Sequence, residues 1–126
     1  MPPEHRILLV EDDVGSRRAI TNVLKDEGYD VKAVGTVAAA FEALTDAQLP
    51  QLIVLDLMLP DMEGWDFRAQ QKKDPVLAGI PVIGISAVGK LMDVEYSFRK
   101  PVDYYQFLSA VEHYVGRPER PKRKHP

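Results

Sequence analysis

Four carboxylates stand directly behind short apolar runs. Glu11, Asp12 and Asp13 follow residues 6–10 (Arg-Ile-Leu-Leu-Val), and Asp56 follows residues 51–55 (Gln-Leu-Ile-Val-Leu). Clustered carboxylates repel one another and stay ionised only with a cation among them. Hard oxygen ligands of this kind suit Mg²⁺, which takes few carboxylates and keeps room for water and phosphate. With that charge neutralised, a carboxylate oxygen can attack an incoming phosphoryl group, and Asp56 is the candidate nucleophile. Ser86, behind residues 81–85, and Lys100, behind residues 96–99, offer a hydroxyl and an ammonium to hold the remaining phosphoryl oxygens. No general-base histidine is needed, because a carboxylate is already a nucleophile. His5, His113 and His125 show no metal-ligand spacing.

These residues converge only if the apolar runs are strands of one sheet. Continuous runs such as 6–10, 51–55 and 81–85 suit strands buried on both faces of a parallel sheet. Segments of helical period lie between them. Ala19, Ile20, Val23 and Leu24 mark one helix, which Gly28 can close. Ala38, Phe41 and Leu44 mark a second, with Thr36 as its N-cap. A weaker strand spans 29–34, and Tyr104, Phe107, Leu108, Val111, Tyr114 and Val115 mark a last helix. Alternating strands and helices predict a doubly wound α/β sheet, whose ligands sit at the carboxyl ends of the strands. Asp13, the third acid of its run, is placed to cap the first helix.

The 126 residues fit one domain, with a body at 5–116 and a flexible basic tail or cut linker at 117–126. Of the formal net charge of −3, the tail carries five basic side chains against Glu119, which leaves residues 1–116 at −7. The chain has no cysteine, which excludes disulfides, thiolate metal sites and cysteine nucleophiles. No apolar stretch is long enough to span a bilayer, and residues 1–6 carry no signal-peptide core, so no membrane partner is expected and the cytoplasm is the default location. The basic tail reads as a solvated linker, and no nucleic-acid partner is expected of this chain.

Four motifs in order resemble the response-regulator receiver domains of two-component signalling: residues 7–13 (Ile-Leu-Leu-Val-Glu-Asp-Asp), residues 55–64 with Pro60 and Gly64 four and eight places after Asp56, the pair Ser86-Ala87, and Lys100-Pro101. The resemblance implies a flavodoxin-like fold, a five-stranded parallel sheet of order 2-1-3-4-5. It implies that Asp12 and Asp56 ligate Mg²⁺ directly (Mn²⁺ an acceptable substitute), that Glu11 acts through water, and that the Met58 backbone carbonyl completes the protein ligands. Asp56 would take its phosphoryl group from a histidine kinase or histidine phosphotransfer protein, with Lys100 and Ser86 binding the phosphoryl oxygens. The resulting change in surface conformation would signal to a downstream protein. A cis Lys100–Pro101 bond is implied as well.

The chain departs from the family in one segment. Only fourteen steps separate Ser86 from Lys100, too few for two loops, a full helix and a strand, so a shortened or missing fourth helix is expected. Three places before Lys100, where the family often has an aromatic switch residue, stands Ser97, flanked by Tyr96 and Phe98. A pseudo-receiver, binding partners without phosphorylation, is the alternative function. A phosphatase resembling the haloacid dehalogenase family would want an acid at Met58. Trp65 reads as a packing residue near the site.

Overall fold

The computed structural model describes residues 5–45, 48–58, 64–87 and 94–118, with residues 64 and 65 by backbone only. The elements are β1 (Arg6–Val10), α1 (Val14–Asp26), β2 (Asp30–Val34), α2 (Val37–Ala43), β3 (Leu52–Asp56), α3 (Gly64–Lys73), β4 (Val82–Ser86), β5 (Tyr96–Arg99) and α4 (Tyr104–Val115). All strand pairs are parallel, in the order β2-β1-β3-β4-β5. The expected doubly wound sheet of order 2-1-3-4-5 is therefore observed.

Strands β1, β3 and β4 are apolar on both sides because both sides are covered. Leu8, Val10, Ile53, Leu55 and Val82 pack with Val37, Ala40, Phe67, Leu77 and Ile80, under α2 and α3. Ile7, Leu9, Val54, Ile83 and Ile85 pack with Ile20, Leu24, Phe107, Val111 and Val115, under α1 and α4. On α2 Leu44 is buried and Phe41 packs against the core as expected, whereas Ala38 is exposed and Val37 and Ala40 are buried instead. Thr36 caps this helix as expected, accepting from the Ala39 N–H at 3.1 Å.

Helix α1 ends as the sequence suggests. The Gly28 N–H donates to Lys25 O and the Tyr29 N–H to Leu24 O, while Gly28 takes φ 94°. This paired turn satisfies two carbonyls of the last turn and turns Tyr29 back onto Leu24 in the core. Only glycine adopts that φ without strain, so Gly28→Ala is expected to cost about 1–2 kcal/mol in urea unfolding.

Between β4 and β5 no helix lies among the described residues. The shortened or missing fourth helix was expected over a stretch whose centre, 88–93, lies outside them, as do Pro60 in 59–63, the Trp65 side chain and the tail beyond 118. On this part of the sheet Leu57 closes over Gly84, where a Cβ would meet the leucine side chain at 3.1 Å. Strand β5 runs in unbroken register from Ile83↔Tyr96 to Ser86↔Arg99, so no bulge brings an aromatic ring to the Ser97 position. Phe98 instead packs on the α4 side, 5.8 Å from Phe107 between ring centroids.

Candidate functional site

The carboxyl ends of β1, β3, β4 and β5 meet at one edge, and the expected residues meet there with them. Asp56 is the last residue of β3 and is 4% exposed, and Glu11, just past β1, is fully buried. The Glu11 N–H donates to Val34 O, which continues the β1–β2 ladder one step and holds its side chain over the sheet end. Asp12 is exposed beside them. Oxygen atoms of Glu11, Asp12 and Asp56 lie within 4.8 Å of one another. Asp13 turns away: it caps α1, accepting from the Ser16 N–H at 2.7 Å, and this bond holds its carboxyl below the usual range.

Lys100 closes the group from β5. Its Nζ donates to Glu11 Oε1 at 2.5 Å and to Asp56 Oδ2 at 3.2 Å. The Lys100 N–H donates to Ser86 O at 2.8 Å, and the Lys100–Pro101 bond is cis, as the resemblance implied. Ser86 is buried at the end of β4, between the strands that carry Asp56 and Lys100. The Met58 N–H donates to Asp56 Oδ1 at 2.9 Å and fixes the carboxylate's orientation.

One contributor was not singled out in the sequence. Arg17 Nη1 donates to the backbone carbonyls of Glu11 at 2.9 Å and Asp12 at 3.3 Å, tying the acidic loop to α1. A Cβ on Gly35 would lie 3.1 Å from that Nη1, so the glycine gives the guanidinium its room. A basic residue in the first turns of the helix after an acidic loop is the signal that could have found it.

The electrostatics follow from burial. Glu11 is pushed up from 4.5 to about 7, by loss of water first and by Asp56 second, against the pull of Lys100. Burial opposes the charge on Lys100, but Glu11 and Asp56 outweigh it and raise its pKa. With a chelator present, the folded chain thus holds a proton on Glu11 that the unfolded chain releases. The stability this provides is full below about pH 4.5 and is lost as pH rises through about 7. Glu11→Gln is expected to remove that slope, raising stability near pH 8 by on the order of 1–3 kcal/mol in urea unfolding.

Three hard-oxygen side chains that converge at a buried edge fit a small divalent cation, which would relieve the same repulsion that lifts Glu11.

The pattern of the response regulator receiver domain matches residues 7–108. The chain belongs to that family. This receiver domain is 32% identical over 117 residues to the DNA-binding response regulator MtrA of Mycobacterium tuberculosis, covering 93% of its own length and 46% of MtrA. It thus spans about half the length of the curated relative. Among solved structures it is similar to the signal receiver domain of a putative LuxO repressor protein from Vibrio parahaemolyticus, with a TM-score of 0.80, 29% identity and coverage of 90% and 91% of the two chains. The receiver domain of the sensor histidine kinase PA1611 from Pseudomonas aeruginosa shares the fold at a TM-score of 0.81 and 21% identity, over 90% of this chain and 99% of that one. That structure has a magnesium ion coordinated in its active site cleft. No helix among the described residues of the receiver domain is long and apolar enough to cross a membrane.

Proposed function

We propose that Asp56 is a phosphoacceptor, charged by a histidine kinase or histidine phosphotransfer protein, and that the domain signals to a downstream protein through the resulting change in its surface. The observation that carries this reading is the single ammonium of Lys100 set between the carboxylates of Glu11 and Asp56. Asp12, Asp56 and the Met58 carbonyl would hold Mg²⁺, or Mn²⁺ in its place, with Glu11 acting through water. The ion supplies charge neutralisation that lets two anions approach.

In the transfer, an Asp56 carboxylate oxygen forms a bond to phosphorus as the phosphorus–nitrogen bond of the donor phosphohistidine breaks, leaving the imidazole and an acyl phosphate. Lys100 shifts part of its hydrogen bonding from Glu11 and Asp56 to a phosphoryl oxygen, and the Ser86 hydroxyl donates to another. Both contacts exist only in the phosphorylated state, so they bias the loops beyond β4 and β5 towards one of two arrangements. The proposal places the domain in the cytoplasm and gives it no nucleic-acid contact of its own. The presence of the full acidic, hydroxyl and ammonium set favours it over a pseudo-receiver.

Incubation with acetyl phosphate and Mg²⁺ is expected to raise the intact mass by one phosphate, and chelation to prevent it. An unchanged mass, under conditions that label a control receiver, would favour the pseudo-receiver.

A further inference from the structure

Asp12 is the exposed member of the three converging carboxylates, so burial does not fix where its side chain stands. Its main chain is fixed instead. The peptide planes on either side of the Asp12 Cα carry the carbonyls of Glu11 and Asp12, and Arg17 Nη1 donates to both, at 2.9 and 3.3 Å. Each peptide is planar, so holding the two planes sets φ and ψ of Asp12 and with them the direction of its Cβ. A further bond holds the second plane, from the Asp13 N–H to Glu11 Oε2 at 3.2 Å, but it ends on a carboxylate of the cluster itself. The Arg17 bonds end on carbonyls and leave every carboxylate oxygen of the cluster untouched.

The guanidinium stands where three elements meet. Arg17 lies in α1, its acceptors follow β1, and Gly35 follows β2, whose Val34 O accepts the Glu11 N–H at 2.9 Å. A Cβ on Gly35 would meet Nη1 at 3.1 Å, its one tight contact, since the Glu11 carbonyl oxygen is 3.9 Å from the same point. Gly35 has no positive φ, so the absence of a side chain there serves the guanidinium and not the backbone.

Charge and position predict opposite signs for Arg17. As a cation beside a cation site it would weaken the binding of a divalent ion. As the clamp on the main chain of Asp12 it would strengthen that binding, because Mg²⁺ demands near-ideal ligand geometry. Groups that orient metal ligands are typically worth about 10–100-fold in affinity, whereas a half-exposed charge is screened within about 8–10 Å at physiological salt. Position therefore wins.

We propose that Arg17, in the space that Gly35 leaves, is a positioning residue that sets Mg²⁺ affinity by fixing the main chain on both sides of Asp12. The inference rests on the reading of this edge as a Mg²⁺ site.

Calorimetric titration with MgCl₂ tests it, with circular dichroism confirming that each variant folds. Arg17→Met is expected to raise the Mg²⁺ dissociation constant at least about fivefold. Arg18→Met removes the same charge from the next, exposed position and is expected to leave it within about twofold. Arg17→Lys, whose ammonium also has several donors, is expected to recover part of the loss. Gly35→Ala keeps every charge and ligand but displaces the guanidinium; it is expected to weaken binding at least about twofold in the wild-type background and to add nothing to Arg17→Met. At saturating Mg²⁺ the initial rate of phosphorylation by acetyl phosphate is expected within about twofold of wild type for Arg17→Met, a split between affinity and rate that general loosening of the fold would not produce. Should Arg17→Met not fold, Arg17→Lys and Gly35→Ala carry the test. An affinity equal to or above that of wild type in the Arg17 variants would overturn the proposal, as would a Gly35→Ala effect that adds in full to Arg17→Met. Wild type that takes up no Mg²⁺ would overturn the metal reading itself, and this inference with it.

Discussion

Asp56→Asn is expected to abolish phosphoryl incorporation from acetyl phosphate while leaving a folded protein. The substitution keeps the shape of the side chain and an oxygen to accept the Met58 N–H, so the turn after β3 keeps its bond. It removes the nucleophilic oxygen, and the other described carboxylates at this edge are otherwise engaged: Glu11 is fully buried and bonded to Lys100, Asp12 would hold the metal, and Asp13 caps α1. In chelator the stability is expected to change by less than about 1 kcal/mol, since the lost Lys100 ion pair is offset by relief of the repulsion on Glu11. Mg²⁺ binding is expected to weaken at least about tenfold, because one of the few anionic ligands is gone. Intact-mass measurement reads the first effect, urea unfolding the second and calorimetric titration the third. Phosphate found on the variant would place the acceptor elsewhere.

The meeting of these residues at one edge was legible because parallel strands make a simple rule: the residue after an apolar run lies at the ligand edge. Glu11, Asp56, Ser86 and Lys100 were all located by that rule alone, and Asp13 by the preference of aspartate for helix N-caps. What escaped depends on contacts that local pattern does not record. Helix α2 is only seven residues long and has an alanine run at 38–40, so its period hardly separates one face from the next: Phe41 and Leu44 pack on the core as expected, but Ala40 and not Ala38 is buried with them. Arg17 bonds the carbonyls of the acidic loop, contacts that only the fold brings together. Arg68 and Gln71 sit in a polar stretch, Arg-Ala-Gln-Gln-Lys-Lys, that reads as an exposed helix face, yet both are buried. Their partners are the loop after α3 and Glu95, 27 residues beyond Arg68.

Those partners make Glu95→Ala the substitution expected to cost the fold most among the polar residues, about 2–3 kcal/mol. Arg68 Nη2 donates to both Glu95 oxygens, at 2.8 and 3.1 Å, and Arg68 Nη1 donates to Gln71 Oε1 at 2.9 Å. Gln71 Nε2 passes the network on to the carbonyls of Leu77 and Ile80, both at 2.9 Å. Glu95 Oε1 also accepts from the Val82 N–H at 3.3 Å, so one carboxylate ties α3 to the entry of both β4 and β5. Removing it takes two carboxylate hydrogen bonds from a guanidinium whose side chain is only 10% exposed; the partial exposure of Glu95 keeps the cost below that of a fully buried pair. Glu95→Gln retains an acceptor for Val82 and is expected to cost less. Combined with Arg68→Met, it is expected to cost at least about 1 kcal/mol less than the sum of the two single changes, because the bonds between the two side chains are then counted as lost once and not twice. Urea unfolding of the four proteins gives this coupling directly. Additive costs would mean that the pair does not hold this side of the sheet. Since β5 runs from this anchor to Lys100 within five residues, Glu95→Ala is also expected to slow phosphorylation at Asp56 by loosening the strand that presents the ammonium.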